Sequence, residues 1–279
     1  MTTFEAVVLG IVEGLTEFLP VSSTGHMILT QAALQIQESS FVKVFLINIQ
    51  FGAILAVLVT YFKRFFQSLD FYKTLIVAFL PAMVFGFTLN KFIDSLLESV
   101  PVVAVMLILG GVIMIWIDKH FQDALIPEEE EIHIDEDGHE TIFYPPLPTY
   151  KQALIIGLSQ CIAMIPGVSR SAATIIGGLT QKMSFKNAAE FSFFLAVPTI
   201  SAAALYKTYA GFKSIKGVHV EQLIYGNITS FIVALIAIQF FLAFLNKFGL
   251  KYFGYYRIVL GLIILIGIYV FHLPFQILK

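Results

Sequence analysis

The sequence predicts an all-α integral membrane protein, an inverted-topology repeat of six transmembrane helices and two re-entrant helix–loop–helix hairpins. Three observations predict it. The 279 residues are 58% hydrophobic and 13% charged, whereas globular domains carry about a quarter charged residues, so much of the surface faces lipid. The apolar residues collect in blocks approaching the roughly 20 that cross a bilayer, and two blocks are interrupted by Pro, Gly, Ser and charge. Segments of the two halves also match each other.

In chain order, the first block, 4–34, is broken at Pro20, Val21, Ser22, Ser23, Thr24, Gly25 and His26. Glu5, Glu13 and Glu17 within it, with no basic region or cleavage site before it, argue against a signal peptide and for mature protein. Three spans follow at 44–62, 74–89 and 101–117. Residues 118–150 form a hydrophilic linker with ten acidic residues from Asp118 to Glu140, closed by Pro145, Pro146, Leu147 and Pro148. This composition predicts a mobile, solvated connector, the alternative being a regulatory or metal-binding role for His133 and His139. A second broken block, 151–180, is interrupted at Pro166, Gly167, Val168, Ser169, Arg170 and Ser171. Spans at 189–206, 228–245 and 258–275 complete the chain. Non-helical backbone at membrane depth is tolerated only where protein or a wet cavity satisfies it, so both broken blocks read as re-entrant hairpins.

At an offset of 156, the stretch Leu75 to Phe92 matches Phe231 to Phe248 at eight of eighteen positions, both ending in Asn-Lys-Phe. At an offset of 147 the two broken blocks align without gaps, pairing Gly10 with Gly157, Glu13 with Gln160, Val21 with Val168 and Ser22 with Ser169. Each half (1–117 and 151–279) then holds one hairpin and three crossings. An odd number of crossings turns the second half upside down, the plan in which broken helices meet near the midplane. Ten Lys and Arg, among them Arg64 and Arg257, fall on one side of this arrangement and six on the other. The positive-inside rule then puts both termini outside the cytoplasm.

Scattered basic residues leave no nucleic-acid footprint, and the lone Cys161 excludes an intrachain disulfide or a Cys-based zinc site. An ionisable side chain at membrane depth costs about 2.5–3.5 kcal/mol or more and marks a functional candidate. Glu13, Glu17, His26 and Arg170 qualify, while Glu5, Glu190 and His272 lie nearer segment ends. Glu13 and Glu17, four apart, share a helix face and repel, so a bound cation, a shared proton or Arg170 must offset them. Ser22, Ser23 and Thr24 can cap one half-helix and Ser169, Arg170 and Ser171 another. Two helix N-termini and a guanidinium converging on one point predict a phosphate-like ligand. His26, three residues after Ser23, can join hydroxyl and carboxylate in the same tip. Two carboxylates beside a diphosphate favour Mg²⁺ or Ca²⁺ held by Glu13 and Glu17.

The runs from Glu13 to His26 and from Pro166 to Thr174 resemble the two signatures of the bacterial undecaprenyl-diphosphate phosphatases, the bacitracin-resistance family. The resemblance covers essentially the whole chain apart from the acidic linker. It implies hydrolysis of undecaprenyl diphosphate to the monophosphate carrier of envelope glycans in the bacterial cytoplasmic membrane, through a site opening outside the cytoplasm. It also implies that Glu17, His26, Ser23 and Arg170 carry activity, with Glu13, Ser169, Ser171 and Thr174 in support; the expected phosphate-binding residues are Ser22, Thr24, Gly167, Ser169, Ser171 and Thr174. Whether Ser23 activated by His26, His26 itself or water attacks phosphorus stays open. The other membrane lipid phosphatase class needs a Lys–Arg-Pro motif upstream and a His shortly after its Ser-Arg, and neither is present here. Expected partners are the polyprenyl lipid and the bilayer, with a homodimer as the candidate assembly. The alternative function is a transporter or flippase of polyprenyl phosphate, and phosphate release in detergent separates the two.

Overall fold

A computed structural model describes residues 1–37, 39–66, 68–89, 93, 99–121, 131–134, 140–143, 146–212 and 220–272. Eleven α-helices are described: α1 (Thr3–Thr16), α2 (Ser23–Ala33), α3 (Ser40–Asn48), α4 (Gln50–Thr60), α5 (Leu69–Thr88), α6 (Val100–His120), α7 (Tyr150–Ile162), α8 (Arg170–Thr180), α9 (Phe185–Phe212), α10 (Val220–Phe248) and α11 (Lys251–Tyr269). Six stretches are long and apolar enough to cross a membrane: Ser40–Thr60, Leu69–Thr88, Val100–His120, Phe185–Tyr206, Val220–Phe248 and Lys251–Tyr269. They correspond to the six expected spans.

The linker is described in part. It carries an antiparallel strand pair, β1 (Glu131–Ile134) and β2 (Glu140–Phe143), with Glu131 opposite Phe143 and Ile134 opposite Glu140. His139 and the Asn90-Lys91-Phe92 end of the sequence match lie outside the described residues.

The last helix starts seven residues before the expected span at 258. Gly249, at φ +70°, ends α10, and the buried Asp118 carboxylate on α6 accepts the N–H groups of Leu250 at 2.5 Å and Lys251 at 3.3 Å. A side chain from a neighbouring helix thus caps α11 and starts it early. As a result Arg257 lies one and a half turns inside a helix and is wholly buried. Arg64 is buried as well. Neither faces the aqueous side on which the charge count had placed them.

Two broken units position everything else. Thr2 caps α1 in a reciprocal box with Glu5, whose backbone N–H donates to Thr2 Oγ1 at 3.2 Å while Thr2 N–H donates to the Glu5 carboxylate at 2.7 Å. Glu5 is therefore accounted for by helix capping. Thr149 and Gln152 repeat the device at α7. At 14, 11, 13 and 11 residues, α1, α2, α7 and α8 are each short of the roughly 20 residues a crossing needs. Between α1 and α2, and between α7 and α8, the chain turns through Ser22 at φ 71° and Ser169 at φ 74°. Both conformations are uncommon for a residue with a side chain. Both serines go on to cap the next helix, Ser22 Oγ accepting Gly25 N–H and Ser169 Oγ accepting Ala172 N–H.

Helix α1 packs on α10, α7 on α5, and α6 on α11. Small residues allow the close approaches: a Cβ on Gly10 would stand 2.6 Å from the Gly226 carbonyl, and one on Gly111 would stand 2.6 Å from the Gly254 carbonyl. An aromatic core including Phe18, Phe193, Phe194 and Phe241 lies between the broken units and the long helices.

Candidate active site

The two interrupted tips meet. Ser171 Oγ, at the start of α8, donates to the Leu19 carbonyl in the first tip at 2.9 Å. The guanidinium of Arg257 donates to Pro20 in the first tip (3.1 Å), to Gly167 (2.7 Å) and Val168 (2.9 Å) in the second, and to Met106 (3.1 Å) and Leu107 (3.4 Å) on α6. Gly110 makes room for it, because a Cβ there would fall within the guanidinium. A tight turn cannot pair all its carbonyls internally, and a buried carbonyl needs a donor. Arg257 supplies three of those bonds across both tips.

A polar cavity of about 150 Å³ opens between the tips, lined by Glu17, Ser23, Thr24, Ser169 and Arg170 among others. Capping by Ser22 leaves the Ser23 hydroxyl free to donate to Glu17 Oε2 at 2.7 Å. The other Glu17 oxygen meets Arg170 Nη2 at 3.4 Å. Arg170 is held from behind, Nη1 donating to the Ser192 carbonyl at 2.9 Å and to its hydroxyl at 3.3 Å. Thr174 Oγ1 completes this support with a 2.7 Å bond to Ser192 Oγ. A hydroxyl hydrogen-bonded to a carboxylate beside a guanidinium is an arrangement for transferring an electrophilic group to oxygen, with proton acceptor and charge stabiliser in place.

The candidates are not all equally placed. Glu17, Ser22, Ser23, Thr24, Gly167, Ser169 and Arg170 line the cavity. Ser171 and Thr174 are buried and turned to Leu19 and Ser192. Glu13 is fully buried on α1, below Glu17, and neither of its oxygens meets a protein donor among the described residues. His26 does not form the expected pair with Ser23. Its Nδ1 lies 2.8 Å from the Ser22 carbonyl and must carry the proton there, since a carbonyl only accepts. In the neutral ring Nε2 then accepts the Tyr256 hydroxyl at 2.5 Å, with the two rings stacked. Of the two, Glu17 is the one hydrogen-bonded to Ser23.

Ser192, Tyr256 and Arg257 escaped the sequence reading. Ser192 sits at a polar break in the apolar run of α9, a signal that was present. Arg257 stood one residue outside an expected span and counted as a terminal charge.

A second cavity, about 410 Å³, adjoins the first. Phe79, Met83, Phe87 and Met164 contribute to its largely apolar wall, and Arg170 and Ala163 line both spaces.

The model of the family described as "Bacitracin resistance protein BacA" matches residues 6–263. A Bdellovibrio bacteriovorus protein named "Undecaprenyl-diphosphatase" is 51% identical over 272 residues, covering 98% of each chain. Proteins of the same name from Flavobacterium johnsoniae (52% over 270 residues, 95% of this chain and 96% of that one) and Aquifex aeolicus (46% over 265 residues, 94% and 97%) are similarly matched.

Proposed function

The chain belongs to the bacitracin resistance protein BacA family, and from that premise we propose that it is a membrane undecaprenyl-diphosphatase. It is a hydrolase that converts undecaprenyl diphosphate to undecaprenyl phosphate and inorganic phosphate, recycling the carrier for peptidoglycan and other envelope glycans and conferring bacitracin resistance. One observation carries the reading to this chain: a polar cavity with a hydroxyl, a carboxylate and a guanidinium opens beside an apolar one, with Arg170 on both walls. That shape suits an amphiphile with a phosphate head. The relatives' name, undecaprenyl-diphosphatase, favours hydrolysis over the transporter alternative.

In the reaction, Ser23 Oγ attacks the terminal phosphorus while its proton passes to Glu17. The bond from that phosphorus to the bridging oxygen breaks, and undecaprenyl phosphate leaves. The departing undecaprenyl phosphate takes the proton from Glu17, which as a carboxylate again activates the water that cleaves the phosphoserine, restoring Ser23 and releasing phosphate. Arg170 and the N–H groups at the starts of α2 and α8 stabilise the equatorial oxygens. His26 acts by holding the Ser22 carbonyl, and so the tip, through Tyr256. Glu13 and Glu17 fit a divalent cation in part: a buried carboxylate without a donor invites a cation or a proton, and phosphate and water oxygens would supply the remaining ligands. When bound, Mg²⁺ or Ca²⁺ would neutralise phosphate charge.

The architecture we propose is the inverted repeat with two re-entrant hairpins, in halves 1–117 and 151–279. The supports are paired features: the capping boxes at Thr2 and Thr149, the left-handed serines 22 and 169, and crossings that exchange between halves. Gly10 on Gly226 is matched by Gly157 on Ala78, and Gly111 on Gly254 by Gly261 on Ala104. These pairs relate the halves by shifts of 147 to 150 residues, so the sequence match at 156 aligns α5 with α10 about two turns out of register. We further propose that the protein lies in the bacterial cytoplasmic membrane with its cavity opening outside the cytoplasm. A homodimer remains the candidate assembly.

The test is phosphate release from the C55 prenyl diphosphate by purified protein in detergent, with and without chelator. We expect Glu17→Gln, Ser23→Ala and Arg170→Ala each to lose about 10²–10⁴ in kcat, the range for removing a base or a charge stabiliser, and chelator to inhibit. Full activity in all three folded variants would refute the site.

A further inference from the structure

Gln160 Nε2 and Arg170 Nε are buried nitrogen donors with no acceptor among the described residues, and both belong to side chains on the wall of the apolar cavity. Gln160 is 3% exposed; its Oε1 lies 3.4 Å from the Thr199 hydroxyl, which also donates to the Leu195 carbonyl at 2.8 Å, and its Nε2 has no partner. Arg170 commits Nη1 to Ser192 and Nη2 to Glu17, which leaves Nε without an acceptor. A buried donor left unmade forfeits its full desolvation cost, more so when it is charged, so two on one otherwise apolar wall call for an oxygen-bearing ligand. Phe79, Met83 and Met164 on the same wall require that ligand to continue as hydrocarbon.

Arg170 separates this wall from the cavity holding Ser23 and Glu17. With a terminal phosphate on the Ser23 side, the next phosphate along a lipid diphosphate reaches the Arg170 Nε and Gln160 side. The two halves agree with this division. Gln160 is the counterpart of Glu13 at the 147-residue offset, and of carboxylate and amide only the amide can donate to an anion.

We propose that Gln160 Nε2 and Arg170 Nε seat the phosphate that stays on the lipid, which makes Gln160 the residue that sets which phosphorus faces Ser23. The proposal rests on the diphosphatase reading and deepens it. Prenyl monophosphate, the product, is then a ligand of this seat in its own right.

The test is equilibrium binding of farnesyl monophosphate and, separately, of inorganic phosphate to the detergent-solubilised protein. Gln160→Leu weakens monophosphate binding about tenfold, the size of one hydrogen bond to a charged group, and Gln160→Glu weakens it further by repulsion. Inorganic phosphate, free to sit on the Ser23 side, binds both variants as it binds wild type. Unchanged monophosphate affinity in folded Gln160→Leu overturns the proposal, as does an equal loss for inorganic phosphate. If that variant fails to fold, the isosteric Gln160→Glu decides, and unchanged monophosphate affinity there refutes the seat. Turnover separates the two readings. Wild type that binds monophosphate through Gln160 yet releases no phosphate from the C55 diphosphate refutes the hydrolase and supports the seat, whereas turnover with Gln160-indifferent monophosphate binding refutes the seat alone.

Discussion

Arg257 shows how a single residue can hold a site it does not line. Its side chain is fully buried and donates to five backbone carbonyls, three of them in the two tips. A lysine ammonium is a compact charge with three donors and cannot span the same set. Arg257→Lys is therefore expected to leave a folded protein whose kcat falls about 10²-fold while KM changes little, the pattern for a misplaced reacting geometry. Gly110→Ala, which pushes a methyl into the guanidinium, should reproduce the effect more mildly. Steady-state kinetics on both variants, with thermal unfolding as the control for folding, checks this, and wild-type kcat in folded Arg257→Lys would refute it. The same residue marks the limit of the sequence at this scale. Glu13, Glu17 and Arg170 stood out because charge within an apolar block has few explanations. Arg257 did not, since next to a predicted span end an arginine has an ordinary one.

Helices were legible where composition alone decides, and illegible where a neighbour decides. All six long apolar helices were expected. The early start of α11 depends on Asp118, 132 residues before Leu250, which no local pattern contains. The division of the second element at Ile49 depends on Asn227, whose side chain accepts Gly52 N–H at 3.0 Å and donates to Asn48 at 2.8 Å. In the proposed repeat, the capping boxes and glycine crossings set a register about two turns from that of the sequence match, because apolar helices share letters by composition. Those crossings can be tested. A methyl on Gly10 meets the Gly226 carbonyl at 2.6 Å and Thr229 Cβ at 3.0 Å, whereas one on Gly86 meets only Met164 Cε at 3.7 Å. Overpacking of the first kind costs about 1–3 kcal/mol. Gly10→Ala should therefore lower the thermal midpoint in detergent by several degrees and Gly86→Ala should leave it within a degree or so, about the shift per fraction of a kcal/mol at this size. Equal midpoints would mean that α1 is free to move off α10.

For the whole molecule, the open variable is which side of the membrane the cavity faces. Burial of Arg64 and Arg257 removes two charges from the majority side, leaving eight against six and making loop charge a weaker guide than the count implied. Topology supplies a separate argument. In the proposed architecture the first hairpin enters from the side that holds the N-terminus, and its tip carries the cavity residues Glu17, Ser23 and Thr24. In that architecture the accessible mouth follows the N-terminus, which the positive-inside rule predicts to lie outside. Cys161, the only cysteine in the chain, can be replaced by serine to give a clean background for a probe at Thr24, which lines the cavity. Thr24→Cys on that background should react with a membrane-impermeant maleimide added to the outside of intact spheroplasts. Inverted vesicles exposing the cytoplasmic face should give no labelling, and prenyl diphosphate should protect the cysteine. Labelling from the cytoplasmic face alone would reverse the orientation. It would leave the cleavage chemistry intact, because the Ser23, Glu17 and Arg170 contacts do not depend on which compartment the cavity meets.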